Sequence, residues 1–216
     1  MSTGGNNGSS TTSTKKDFLF RFLSPAIRNL LRFDDEALYS TTDQLTAEKI
    51  GKDILKFASP ESVITDATAC IGGSCASLAK IFSKVYAIEI DRVKYEYLRH
   101  NMTIMGFQQV VECICGDALN VCPQLQQDVI FIDPPWGGPE YKLCSKLSLT
   151  LSGKSLAQVC CNLAPYTKYI ALKVPTNFDE TGFVETVGTT LTRVHRNVNL
   201  RKMHLLIFET KVVKND

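Results

Sequence analysis

Two rhythms of apolar residues run along this chain. From residue 63 onward, short runs rich in apolar and β-branched residues alternate with stretches whose apolar residues recur every three or four positions. The first pattern is that of buried strands and the second that of helices packed by one face. Strands are predicted over residues 63–66, 85–89, 110–114, 128–132 and 168–174, and helices over 74–82, 92–105, 155–163 and 183–191. Residues 192–200 and 203–210 read as a closing antiparallel pair. Repeated strand–helix units predict an α/β fold: a mostly parallel sheet, helices on both faces, and an antiparallel C-terminal edge.

Upstream of residue 63 the pattern differs. Residues 1–14 are nearly all Gly, Ser, Thr and Asn, cannot bury enough surface to offset ordering entropy, and are expected to form, with Lys15 and Lys16, a disordered tail over 1–16. Residues 17–60 read as a helical extension, broken near Pro25 and joined by a polar connection over 33–42. Its helix from Thr46 carries Ile50, Ile54, Leu55 and Phe57 toward one side. Residues 61–216 form the main domain.

Composition narrows the class. With 44% hydrophobic and 21% charged residues, 216 residues suit one soluble globular domain. A net charge of +2 gives no strong polyelectrolyte character. The eight cysteines form no C-x-x-C and there are three histidines, so no metal site is expected. No membrane-length apolar run or signal peptide is visible, and a reducing interior, nuclear or cytoplasmic, is the expected setting. A monomer is favoured.

The candidate chemistry sits where predicted strands end. Asp133-Pro134-Pro135-Trp136-Gly137-Gly138 follows the apolar run 129–132. In open α/β sheets, ligands bind beyond the carboxyl ends of strands. Asp133 and the carbonyls freed by the prolines are acceptors, and Trp136 offers a flat face; together they suit an amino group on a planar base. After the first strand comes the small-residue loop Asp66-Ala67-Thr68-Ala69-Cys70-Ile71-Gly72-Gly73, which permits close backbone approach. It is neither G-x-G-x-x-G nor a P-loop, which disfavours a dinucleotide and excludes a P-loop nucleotide. Glu89 ends the second strand, where a carboxylate can hold a ribose diol, and Asp117 follows the third, where it could accept from an adenine amino group. Asp66 could take a cofactor's ammonium. A cation, a ribose and an adenine describe S-adenosyl-L-methionine.

This succession resembles the class I S-adenosylmethionine-dependent methyltransferases, which implies a Rossmann-like, seven-stranded sheet. More narrowly, Pro134-Pro135-Trp136-Gly137-Gly138-Pro139-Glu140-Tyr141 resembles the signature of the trimethylguanosine synthases, which methylate N2 of the 7-methylguanosine RNA cap. Arg32-Phe33-Asp34-Asp35 and Thr46-Ala47-Glu48-Lys49-Ile50 are similar to that family's upstream pattern. Four departures stand out: Thr68 and Cys70 replace a Phe and a Gly of the family loop, Ala47 replaces a Pro, and Asp133 occupies a usual Ser position.

The resemblance implies capped RNA as partner. Trp136 would stack on the cationic base, while Asp133 and the Pro134 carbonyl would accept from its amino group. Thr68, Cys70, Gly72 and Gly73, with the acids already named, would line the cofactor. Lys15, Arg28 and Arg32 are candidates for the cap phosphates, and Asn177 for the substrate side of the fifth strand. Asp133 also matches the adenine-N6 methyltransferases, so that activity stays open, as does a catalytically silent RNA-binding module.

Overall fold

The computed structural model describes residues 15–211, so the expected disorder of residues 1–14 falls outside the described residues. Lys15 and Lys16, grouped with the tail on composition, instead open a helical turn, α1 (15–19). Three short helices follow: α2 (Pro25–Leu30), α3 (Asp35–Ser40) and α4 (Gln44–Ile54). Each begins with a side-chain cap, from Ser24, Asp34 and Asp43. The polar connection expected over 33–42 thus contains a helix. Asp34 accepts from the Ala37 N–H at 2.7 Å, and burial of Ala37 and Leu38 holds the turn closed.

The main domain runs β1 (Val63–Asp66), α5 (Gly73–Leu78), β2 (Lys84–Glu89), α6 (Arg92–Ile104), β3 (Val111–Cys115), α7 (Ala118–Val121) and β4 (Val129–Ile132). A small hairpin, β5 (Thr150–Leu151) and β6 (Lys154–Ser155), precedes α8 (Leu156–Leu163), β7 (Tyr169–Pro175), α9 (Glu180–Val187), β8 (Leu191–Leu200) and β9 (Met203–Thr210). The helix predicted over 183–191 is therefore α9, begun earlier by the Asp179 cap on Gly182 N–H and ended at Gly188. The hairpin was not predicted; its turn, Ser152-Gly153, has both residues at positive φ, 50° and 74°.

The sheet order is β3-β2-β1-β4-β7-β9-β8. The first five strands are parallel, β9 is antiparallel to β7, and β8 to β9. The expected seven-stranded sheet with its antiparallel edge is thus observed. Side-chain alternation along β4 splits the core: Val129 and Phe131 pack with Ile50, Ile54, Leu98 and Met102, whereas Ile130 and Ile132 pack with Leu156, Val159, Leu163 and Phe183. A third cluster, Phe20, Leu31 and Leu38 around Ile71, docks the N-terminal helices onto the loop after β1. Among the described residues, no helix is long and apolar enough to cross a membrane.

Candidate active site

Strand order reverses at β1 and β4: the chain steps from β1 to β2 and β3 on one side, then returns to β4 and continues to β7 on the other. A crevice must open where the loops diverge. There the structure has a cleft of about 630 Å³. Thr68, Cys70, Glu89, Asp117, Asp133, Pro134 and Trp136 all contribute to its wall.

Hydrogen bonds lock these loops together. The Asp133 N–H donates to Thr68 Oγ1 at 2.8 Å, and the Thr68 N–H donates to Asp66 Oδ1 at 3.2 Å. Glu89 accepts from the backbone N–H of Cys70 at 2.9 Å and of Asp91 at 2.8 Å. Asp117 caps α7 through Leu119 N–H and accepts from Ser152 Oγ, both at 2.9 Å, so the β5–β6 turn closes over it. Each carboxylate keeps acceptor capacity beyond these bonds.

At the β4 end, Lys173 reaches up from β7. It is 4% exposed, and its Nζ lies 2.5 Å from Asp133 Oδ2 and 2.8 Å from Thr42 Oγ1. Burial pushes the Asp133 carboxyl above the usual carboxylate range, and the Lys173 ammonium opposes that rise. The same ammonium stands over Trp136, 5.1 Å from the ring centroid. Trp136 meets the Tyr141 ring edge-on at 5.2 Å and packs against the core below. Gly137 and Gly138 take positive φ, 85° and 74°, and turn the chain toward Tyr141. The outer rim carries Tyr39, with Lys15 Nζ 4.8 Å from its ring centroid, and the Lys94–Glu36 ion pair at 2.8 Å.

Other residues singled out from the sequence lie outside the wall. Asp66 is 1% exposed and sits behind the loop, accepting also from the Cys75 thiol at 3.1 Å; burial raises its carboxyl to about 7. Gly72 and Gly73 face away from the cleft. A Cβ on Gly72, at φ +95°, would meet Met102 Cε at 2.2 Å; one on Gly73 would meet Thr41 Cγ2 at 2.5 Å. These glycines serve close packing of the loop on α6 and on the N-terminal extension. Arg28 turns its Nε to Asp17 Oδ1 at 3.1 Å. Arg32 is tied through its backbone to Asn101, its N–H to Oδ1 at 2.8 Å and its carbonyl to Nδ2 at 2.9 Å. Asn177 donates through Nδ2 to the carbonyls of Tyr141 and Cys144 at 2.8 and 2.7 Å and so braces the turn that carries Tyr141.

Lys173, Thr42 and Ser152 are the functional candidates that sequence reasoning missed. Lys173 had a signal: a lysine inside the apolar run 170–174 must find a buried partner. Cys70 holds a left-handed φ of +50°, and its thiol is pushed up to about 12 by burial and the neighbouring Glu89, so it stays a neutral wall group. A shallower groove of about 660 Å³ lies beside α9, β8 and β9. It begins at Thr176, just past β7, and carries the ion pairs of Arg196 with Glu180 and of Lys146 with Asp179, both at 2.9 Å; it lacks the acids that follow β1 to β4.

The cleft's chemistry fits a cationic nucleoside. Glu89, Asp117 and Asp133 supply acceptors for hydroxyl and amino groups, while Ile88, Ile90, Ala118 and Leu151 supply apolar wall for a ring.

Comparison with known proteins agrees. The pattern describing the RNA cap guanine-N2 methyltransferases matches residues 61–208. A trimethylguanosine synthase of Schizosaccharomyces pombe is 32% identical over 153 residues, 68% of this chain and 63% of that protein. An uncharacterised protein of Acanthamoeba polyphaga mimivirus is 36% identical over 122 residues, 54% of this chain and 47% of that one. The chain thus spans between about half and two thirds of the length of these relatives. Among solved structures, an RNA methyltransferase candidate of Pyrococcus horikoshii superposes with a TM-score of 0.62 at 15% identity, covering 90% of this chain and all of that one. A methyltransferase candidate of Porphyromonas gingivalis gives 0.69 at 16% identity, covering 96% of this chain and 52% of the other. These structural likenesses establish the fold.

Proposed function

Because the chain belongs to the RNA cap guanine-N2 methyltransferase family, we propose that it transfers a methyl group from S-adenosylmethionine to the exocyclic N2 of a 7-methylguanosine RNA cap. The observation that carries this reading is the placement of an indole face and a carboxylate, Trp136 and Asp133, on one wall of an acid-lined strand-end cleft.

Bound S-adenosylmethionine supplies an electrophilic methyl on a sulfonium; the protein's part is binding and orientation. Glu89 and Asp117 would accept from its ribose and adenine, and Thr68 and Cys70 would line it. Trp136 would stack on the cap base, whose positive charge adds cation–π attraction of about 1–2 kcal/mol in a desolvated site. Asp133 and the Pro134 carbonyl would accept from the amino group, fixing the direction of its nitrogen lone pair. Such positioning can supply on the order of 7–11 kcal/mol of barrier lowering. The amine can shed its proton after attack, so no strong base is required. Lys15, held over Tyr39 at the rim, is the best placed of the three predicted phosphate contacts. Capped RNA as substrate puts the protein in the nucleus or cytoplasm.

Asp133 supports a second reading, transfer to N6 of an unpaired adenine. Methyl transfer from labelled S-adenosylmethionine to a 7-methylguanosine cap analogue, an unmethylated guanosine cap analogue and an adenine-containing oligonucleotide separates the two. The proposal expects label in the first alone. Label only in the oligonucleotide would replace it with the second reading, and label in none would refute both.

A further inference from the structure

Lys173 is a buried cation placed against the very ring proposed to receive a cationic base. Its Nζ lies 5.1 Å from the Trp136 centroid. A base stacked on that indole would hold its charge within roughly 11 Å of Lys173, since cation–π contacts reach about 6 Å from the centroid. At an effective dielectric of about 20, an unopposed lysine at that range would weaken a cationic base roughly tenfold relative to a neutral one. Asp133 opposes it, with Oδ2 2.5 Å from Nζ, and Thr42 Oγ1 completes the ammonium's shell at 2.8 Å. The carboxylate at the base-binding edge and the lysine under the ring are therefore one electrostatic unit.

Building on the proposed cap-binding site, we propose that Lys173 is a specificity-determining positioning residue: its pairing with Asp133 keeps the Trp136 pocket charge-balanced, and that balance sets the preference for a cationic over a neutral guanine base. A purely structural pair would leave this preference unmoved when replaced shape for shape.

The chain contains one tryptophan, so intrinsic fluorescence reports the site directly and needs no cofactor. The measurement is quenching of Trp136 by 7-methylguanosine diphosphate and by guanosine diphosphate, with every variant read at the same pH and ionic strength. The readout is the ratio of the two dissociation constants. Asp133→Asn keeps the side chain's shape and strands the Lys173 charge; it is expected to lower the preference for the methylated base roughly tenfold. Asp133→Asn with Lys173→Met removes both charges and is expected to restore the wild-type ratio to within about twofold, an energetically small residue. Lys173→Met alone, which serves if Asp133→Asn does not fold, should hold or raise the ratio, because no cation then remains beneath the ring. A ratio unmoved by Asp133→Asn, still depressed in the double variant, or lowered by Lys173→Met overturns the inference while wild-type quenching leaves the cap site standing. If neither nucleotide quenches the wild type, the cap site itself is refuted and the inference with it.

Discussion

Asp66 should make this protein less stable at neutral pH than its sequence requires. The carboxyl is 1% exposed, with a thiol and one backbone N–H as its hydrogen-bond donors, and burial raises it from 3.8 to about 7. The nearby carboxylates of Asp133 and Glu89 push the same way. Below about pH 4 the group is protonated in folded and unfolded chains alike. Between there and pH 7 the unfolded chain has released the proton and the folded chain still holds it, so folding stability falls as pH rises. The slope is about 1.4 kcal/mol per pH unit, which over this interval sums to about 4 kcal/mol, an upper figure because residual hydration softens burial.

Asp66→Asn preserves the shape and cannot ionise. Urea denaturation of both proteins at constant ionic strength, from about pH 4 to pH 8, measures the gap between them. The variant's stability relative to wild type should climb by up to about 4 kcal/mol across that range, then level off above pH 7. The absolute gap at low pH also carries whatever the amide's altered hydrogen bonding does; only its pH dependence is diagnostic. A gap that stays flat would mean that Asp66 titrates normally in the folded chain, and the reasoning would fail.

Three further outcomes follow from the site. Trp136→Ala should weaken a 7-methylguanosine cap analogue by roughly 30-fold or more, the sum of lost stacking and cation–π attraction, and leave S-adenosylmethionine affinity within about twofold by calorimetry; equal losses would show that the ring only holds up the fold. Glu89→Gln can satisfy one of the two backbone N–H groups that Glu89 now accepts from, so cofactor affinity should fall roughly tenfold or more and stability by about 1–3 kcal/mol; unchanged cofactor affinity would remove Glu89 from the site. Asn177→Ala frees the turn that carries Tyr141 and should weaken the cap analogue while sparing the cofactor; undiminished cap affinity would show that this brace is irrelevant to the pocket.

Much of the architecture was legible in the chain because its signals are local. Fully apolar β4 cannot be anything but central, and the alternation of such runs with helical spacing dictates parallel strands. Cleft residues next to strand ends, such as Glu89, Asp117 and Asp133, were legible for the same reason: position on a strand fixes position at the crevice. What could not be read depends on distance in sequence. Thr42 and Lys173 stand 131 residues apart and meet only once the N-terminal extension folds over the sheet. Gly72 and Gly73 follow the first strand and invite a ligand-binding role, yet the contacts that require them come from Met102 and Thr41, which no local pattern reveals. Arg28 looked free on a helix, but its partner Asp17 lies on another segment; Arg32 is held there by its backbone, through Asn101 on α6. The β5–β6 turn had a usable mark in Ser152-Gly153, but its reach to Asp117 is again tertiary.

The most direct test of the account is to find where the methyl goes. The protein is incubated with carbon-13 methyl-labelled S-adenosylmethionine and a 7-methylguanosine cap analogue, and the product is read by heteronuclear NMR. The label should appear on the exocyclic nitrogen at position 2 of the methylated base, with far less of that product from Trp136→Ala at the same subsaturating cap concentration. Label on an adenine nitrogen, on a ribose hydroxyl or on no position of the cap would contradict it.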